Sequence, residues 1–344
     1  MQHEVKKTQN LLNSGGEIVE EGWARRPLWR YDRRHIKANK WRIKEWDYYS
    51  VMSHDHKFSL CVTFSDLGYA GLFALAFIDF ERKAVAQIDA TKLFPKGKLG
   101  LQPHSGDYAV GWANDKFRIA LSRKGNKRRV IVGAPSLLLP DGSVGLDADL
   151  TLEQPKNLES LNIATSWSEN RRAFYLNEKI NCMPTTGKVR LGERHLTLNS
   201  NEAFGLLDWG RGVWTYSNRW FWSSASGLLD ERTFGFNLGY GFSDRSPASE
   251  NAIIYDNKIY KLEEVKFEIP PSYTDQWKIT SSDNRFEMTF DPVVDRQTET
   301  NLLVIKSDQH QVFGYFNGYA TLNDGTRLLV KDFPGFAEDV YNRF

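Results

Sequence analysis

The sequence predicts an all-β protein built from two β halves, on three observations. Aromatic residues make up 13% of the 344 positions, and aromatic side chains favour strands and bury large areas. Strand-like alternation recurs at short intervals with turn residues between. Helical periodicity is scarce, and the crossover helices that a parallel sheet requires are missing.

The elements follow in chain order. The opening, MQHEVKKTQNLLNSGGEIVEEGW, is polar and lacks the apolar core of a secretory leader. Residues 25–44, RRPLWRYDRRHIKANKWRIK, hold nine Arg or Lys, one acid and three aromatics. Strands are expected over 57–64, 71–80, 117–123 and 129–133, the last two joined by a Lys-Gly-Asn-Lys hairpin turn. PSLLLPDGSVGLDAD at 135–149 adds an Asp-Gly turn. In the second half, strands are expected over 220–229, 233–243, 252–255, 259–262, 266–269, 277–281, 286–290, 302–311, 311–321 and 327–330. That number suits a barrel or sandwich. Trp46-Asp47 and Asp208-Trp209 each precede a strand, a turn and an aromatic-glycine strand, an echo that hints at two related units. The expected division is a basic and aromatic arm over 1–45, a first barrel over 46–190 and a second over 191–344.

Charge and cysteine content exclude several classes. With 45 basic and 43 acidic residues the net charge is +2, so nucleic-acid binding is not expected. Cys61 and Cys182 have no CxxC spacing and read as buried thiols. The longest apolar run, AGLFALAFI at 70–78, is about half the roughly 20 residues that cross a bilayer; no transmembrane segment and a cytoplasmic location are expected. GxSxG, Walker A, Rossmann and HExxH motifs are missing. His54 and His56 have a spacing that strands use for metals, but no third ligand is identifiable and a solvated turn explains them; no metal and no cofactor are expected.

The richest stretch is GLLDWGRGVWTYSNRWFWSSASG at 205–227, with four of the eleven tryptophans. Alternation places Leu207, Trp209 and Arg211 on one face and Asp208 on the other, with Gly210 and Gly212 leaving room beside the carboxylate. Trp220, Trp222, Ser224 and Ser226 share a face of the next strand. Large flat side chains beside small hydroxyls suit an apolar pocket with few polar anchors, although an aromatic barrel core is the plain alternative. In FGFNLGYGF at 234–242, Phe234, Phe236, Leu238, Tyr240 and Phe242 form one face and Asn237 is the only polar side chain on an opposite face of glycines. Such a strip admits a ligand or a packed second sheet. The following turn carries Asp244, Arg245 and Glu250. In LLVIKSDQHQVFGYF, Lys306, Asp308 and His310 share a face that continues Leu302 and Val304, opposite Leu303 and Ile305. A histidine oriented by an aspartate could transfer protons; a solvent-exposed strand end is the competing view. The 25–44 run could meet an anionic partner or form structural cation-π stacks.

WDYYSV (46–51), GLLDWGRGVW (205–214), WFWSSASG (220–227), GFNLGYGFSD (235–244), SENAIIYD (249–256) and TNLLVIKSDQHQVFGYFNG (300–318) resemble the family known as domain of unknown function 2804. More distantly, Asp208-Trp209-Gly210 followed by Trp-x-Trp is similar to a pattern of carotenoid hydratases (hydroxyneurosporene synthases), a group similar in fold to fungal Diels-Alderases and tocopherol cyclases. This chain has a shorter spacing after the aspartate, and Trp209 stands where a histidine often follows it. The resemblance implies two tandem lipocalin-like (calycin-type) antiparallel β-barrels with an apolar site at or between them. It also implies an acid role for Asp208.

The resulting expectation is an apolar or isoprenoid-like ligand held by Trp209, Trp214, Trp222, Ser224, Asn237, Tyr240, Glu250, Lys306 and Asp308. Asp208 would act as acid, with Arg211 and His310 setting its charge state, in a hydratase, cyclase or isomerase type of conversion. The alternative is a non-catalytic carrier or chaperone of a hydrophobic ligand with the same fold.

Overall fold

The computed structural model describes residues 2–302 and 305–343, with the side chains of 300–302 and 305 outside the description. The expected alternation over Leu302 to Ile305 therefore lies outside the described residues. Apart from two 3₁₀ turns at Arg33–His35 and Lys40–Arg42, the regular structure is all strand. Two curled antiparallel sheets, one of thirteen strands and one of nine, dominate the described residues, and a small parallel pairing of Gln9–Asn10 with Trp29–Arg30 lies in the N-terminal arm.

The first sheet runs, side by side, through Ala84–Leu93, Ala70–Asp79, Phe58–Asp66, Ile43–Ser53, Ala203–Val213, Asn170–Leu191, Val144–Glu153, Lys127–Leu138, Arg118–Lys124 and Tyr108–Ala113. Leu161–Trp167 pairs with Asn170–Leu191 and with Gly22–Ala24 of the N-terminal arm. Both Arg194–Leu198 and Ala203–Val213 pair into this sheet, and the second begins only at Ser217. The sheets thus divide later than residue 190. Gly192 and Glu193, just past the expected division, are the tip of a hairpin.

The second sheet runs through Lys258–Lys261, Ala252–Tyr255, Arg232–Tyr240, Ser217–Leu229, Arg327–Arg343, Ile305–Thr321, Phe286–Leu302, Trp277–Ser281 and Val265–Glu268. Its last three long strands exceed the sequence expectation, since 286–290 extends to Leu302 and 327–330 to Arg343. The expected pair 302–311 and 311–321 is one strand, Ile305–Thr321. Prolines explain the shortfall: Pro292 and Pro334 would break an ordinary central strand, but each lies at or beside a register shift, where a missing N–H is tolerated.

Each sheet curls around its own core. Phe64, Phe73, Leu121, Val132, Leu150 and Leu207 fill the first, and Phe234, Phe236, Trp277, Phe286, Phe290 and Phe316 the second. Two further clusters mix residues of both halves and form a seam between the sheets: one holds Tyr175, Cys182, Trp214 and Phe242, the other Tyr48, Leu206, Trp222, Phe313 and Phe336. Hydrogen bonds tie the seam. Asn181 Nδ2 donates to Ser224 Oγ (2.7 Å) and the Cys182 N–H to Ser226 Oγ (3.0 Å). The internal echo has a different meaning from the one expected. Gly210, Trp209 and Asp208 pair with Trp46, Asp47 and Tyr48, so the two motifs lie side by side in the first sheet.

Candidate functional site

The structure distributes the sequence-singled residues over three places. Along Ala203–Val213, alternation sends Trp209 and Arg211 into the first sheet's interior and Asp208 into the seam. Arg211 is fully buried and pairs with Asp47 (2.9 Å), donates to the Trp46, Gly210 and Gln102 carbonyls, and lies 4.2 Å over the Trp209 ring. It therefore faces away from Asp208, and the structure does not bring it to that carboxylate. Lys306, Asp308 and His310 lie on one strand of the second sheet and Tyr240 on another, away from Asp208. His310 Nδ1 bonds Asp295 Oδ2 (2.7 Å), its Nε2 lies 3.6 Å from Asp308, and its ring stacks on Tyr273 at 3.8 Å. Tyr240 stacks on Phe221 at 4.7 Å and Lys306 lies 5.8 Å over Tyr341. Tyr240 and Phe221 pack against the second core rather than the seam.

The seam keeps Asp208, Trp214, Trp222, Ser224, Asn237 and Glu250, and adds Lys179, Asn177, Trp46, Tyr48, Trp220, Gln311 and Glu338. Lys179 is its centre. The buried ammonium sits 2.9 Å from Asp208 Oδ2, 3.6 Å from Glu250 Oε2 and 3.8 Å over the Trp222 ring. Burial pushes this ammonium down, but the charges of Asp208 and Glu250 outweigh it and hold it above its ordinary value. Asn177 Nδ2 donates to Asp208 Oδ1 (2.5 Å). Trp222 Nε1 donates to Asn237 Oδ1 (2.7 Å), while Asn237 Nδ2 reaches the Glu250 carbonyl (2.8 Å). Asn237 thus fixes the turn that delivers Glu250. Burial raises the Glu250 carboxyl; Lys179 opposes the rise and Asp208 adds to it.

Glu338 stands at the other side of the group. Its Oε1 accepts from Gln311 Nε2 (2.5 Å) and its Oε2 from Trp220 Nε1 (3.4 Å). Gln311 also donates to the Tyr48 hydroxyl (3.0 Å). Burial pushes the Glu338 carboxyl up to about 7, the Lys179 charge pulling against it. An acid buried among rings with one distant cation keeps its proton to neutral pH. Glu338 lies beyond the strand expected over 327–330, on its extension to Arg343. The available signal was the alternation of Phe336, Glu338 and Val340.

The walls are aromatic. Trp214 makes edge contacts with Trp46 (5.9 Å) and Trp220 (5.4 Å), and Tyr48 meets Trp222 edge-on at 5.8 Å. Trp46 and Trp220 are half-buried and lead to solvent. The room that glycines were expected to leave is already taken. A Cβ at Gly210 would collide with the Trp46 indole, and one at Gly239 with the Glu250 carboxyl. Gly241, with φ +101°, turns the chain so that Phe242 leaves the second core and joins the seam, breaking the expected face. Two cavities bear on the candidate residues. One, of about 10 Å³, lies at the far end of the seam beside His54, Phe80 and Tyr315; the other lines the N-terminal arm.

Elsewhere, His54 is enclosed between Phe204 and Phe333 and bonds the Ser226 carbonyl at 3.0 Å, with burial pushing its pKa down. Among the described residues no group of three His, Cys, Asp or Glu could hold a metal ion. The cysteines are free and buried. Much of the 25–44 run serves the fold: Arg25 pairs with Glu4 and Glu159, Arg33 with Glu45, and Lys44 donates to the Trp41 and Leu67 carbonyls.

A family model described as Domain of unknown function (DUF2804) matches residues 2–344. The chain belongs to that family. No curated protein matches the sequence significantly. Among solved structures, the DUF2804 chain is similar to a Nitrosomonas europaea protein described as AttH, at 11% identity and a TM-score of 0.55, covering 91% of this chain and 96% of that one. It is also similar to kievitone hydratase from Nectria haematococca (9% identity, TM-score 0.48, covering 100% and 97%) and to CghA with Sch210972 (10% identity, TM-score 0.41, covering 88% and 88%). The first likeness agrees with two tandem lipocalin-like sheets and speaks to architecture alone. No helix among the described residues is long and apolar enough to cross a membrane.

Proposed function

We propose that the seam binds an apolar, isoprenoid-like molecule and converts it by acid catalysis, in a reaction of hydratase, cyclase or isomerase type. The observation that carries this reading is Glu338, a carboxyl buried among indoles and pushed up to about 7, next to a buried Asp208–Lys179–Glu250 group. An acid poised near working pH combines the right protonation state with driving force for proton transfer.

In this reading Glu338 gives its proton to one carbon of a double bond and remains as carboxylate. The cation on the neighbouring carbon lies against indole faces, which attract positive charge; Trp222 already carries the Lys179 ammonium in that way. Water then adds, or an adjacent proton leaves, and the released proton returns to Glu338. Asp208, Lys179 and Glu250 hold the field around the cation, so Asp208 is a positioning group and not the proton donor. Admission of a ligand displaces Trp46 and Trp220, the two half-buried rings.

The test is incubation with geraniol, farnesol and squalene in heavy water. Wild-type protein is expected to place deuterium on carbon, and Glu338→Gln to bind the same terpene, by tryptophan quenching, without doing so. Binding without deuterium uptake in the wild type would leave a carrier. Absence of binding, or equal uptake in both proteins, contradicts the reading.

A further inference from the structure

The second cavity is a cleft of about 500 Å³ where the N-terminal arm crosses the end of the first sheet. Its lining includes Arg25, Arg26, Arg123 and Lys156 and not one carboxylate. Pro27, Pro155 and Leu158 supply an apolar floor. The nearby acids are engaged: Glu4 and Glu159 on Arg25, Asp107 on the Gly125 N–H, and Glu153 on the Asn126 amide.

The cations are less well provided for. Among the described residues Arg123 donates only to main-chain oxygens, those of Gly125 (2.9 Å) and Ser105 (2.8 Å). Arg26 and Lys156 have no ion pair among the described residues. Behind the wall, fully buried Arg128 donates to the same Ser105 carbonyl (3.0 Å) and to Gln154 Oε1 (3.1 Å), a lining residue, while its Nε has no partner. Burial and then Arg128 push the Arg123 guanidinium down, with Glu178 and Asp107 opposing the shift. Glu178 offsets part of the charge from behind the wall, but Arg26 and Lys156 meet no carboxylate in the cleft itself, and an anion between the cations there is attracted to all of them.

We propose that this cleft binds a phosphate monoester or diphosphate group, with guanidinium forks and one ammonium on the oxygens and the apolar floor against the carrier's carbon part. Arginine is suited to such oxygens by its planar, bidentate donors, and the volume falls in the range of small-ligand pockets, about 300–1,000 Å³. The site is independent of the seam and of any chemistry there. Arg26, from the 25–44 run, becomes a binding group, whereas Arg25 keeps its pairing to the fold.

The group could come from a soluble phosphorylated molecule or from a lipid headgroup. The experiment therefore has two arms at low ionic strength, calorimetric titration with pyrophosphate and co-sedimentation with phosphatidylcholine vesicles containing phosphatidic acid. Arg26→Ala/Lys156→Ala is compared with Lys278→Ala/Lys331→Ala on the second sheet, all checked for unchanged melting temperature. Saturable binding in either arm, weakened about tenfold or more by Arg26→Ala/Lys156→Ala but not by the control pair, supports the site and identifies its source. Absence of binding in both arms, or binding that survives Arg26→Ala/Lys156→Ala, overturns it.

Discussion

Glu338 shows at the scale of one residue how environment sets the proton affinity of a carboxyl group. Its Oε1 and Oε2 each have one donor, Gln311 and Trp220, whereas Asp208 has an ammonium at 2.9 Å and an amide at 2.5 Å. The two carboxylates thus differ in their partners: Asp208 has the Lys179 ammonium at ion-pair distance, and Glu338 has only uncharged donors. The consequence for stability has a definite sign. The folded-state pKa of Glu338 lies above its ordinary value of 4.5, at about 7. The folded state therefore binds more protons between those values, and stability is full below 4.5 and falls as pH rises through 7. Glu338→Gln, which keeps shape and removes the charge, is expected to raise the melting temperature at pH 8. The free-energy change is on the order of 3 kcal/mol, shrinking to near zero at pH 4.5. Thermal unfolding of both proteins across that range checks it; a constant difference would contradict a titrating Glu338. Composition and alternation made Asp208 legible, because it lies in a strand of obvious pattern. They could not reveal Lys179, which meets Asp208 only through register between strands.

Elements show the same division between local and non-local information. The faces of Ser217–Leu229 follow from alternation, with Trp220, Trp222, Ser224 and Ser226 together as the sequence indicates. What alternation withholds is which side of a curled sheet is the interior. Here the phenylalanines of Arg232–Tyr240 fill the core and the tryptophans of the neighbouring strand face outward, to be covered by the other sheet. The glycine positions were likewise legible as close approaches, but not their occupants. Gly210 admits the Trp46 indole from the paired strand. Gly210→Ala is expected to expel that ring, costing about 1–3 kcal/mol by overpacking and changing the near-ultraviolet dichroism of the tryptophans. An unchanged spectrum with unchanged stability would show that the indole does not lie over the strand.

The whole molecule joins two lipocalin-like sheets through a seam more polar at its centre than either core. Its buried charges, Lys179, Asp208, Glu250 and Glu338, come from strands of both sheets and the turn after Arg232–Tyr240. A site so divided leaves no motif in any one segment, which is why the second-half aromatic pattern pointed towards it without enclosing it. Apolar molecules are expected to enter this seam and not the phenylalanine-filled interior. Photolabelling with a diazirine-bearing farnesol, followed by peptide mapping, measures this directly. The expected result is label on Ile43–Ser53, Ser217–Leu229 and Arg327–Arg343, carried by Trp46, Tyr48, Trp220, Trp222 and neighbours of Glu338, and reduced by competing farnesol. Label confined to Phe234, Phe236, Phe286 or Phe316, or label that farnesol does not displace, would contradict it.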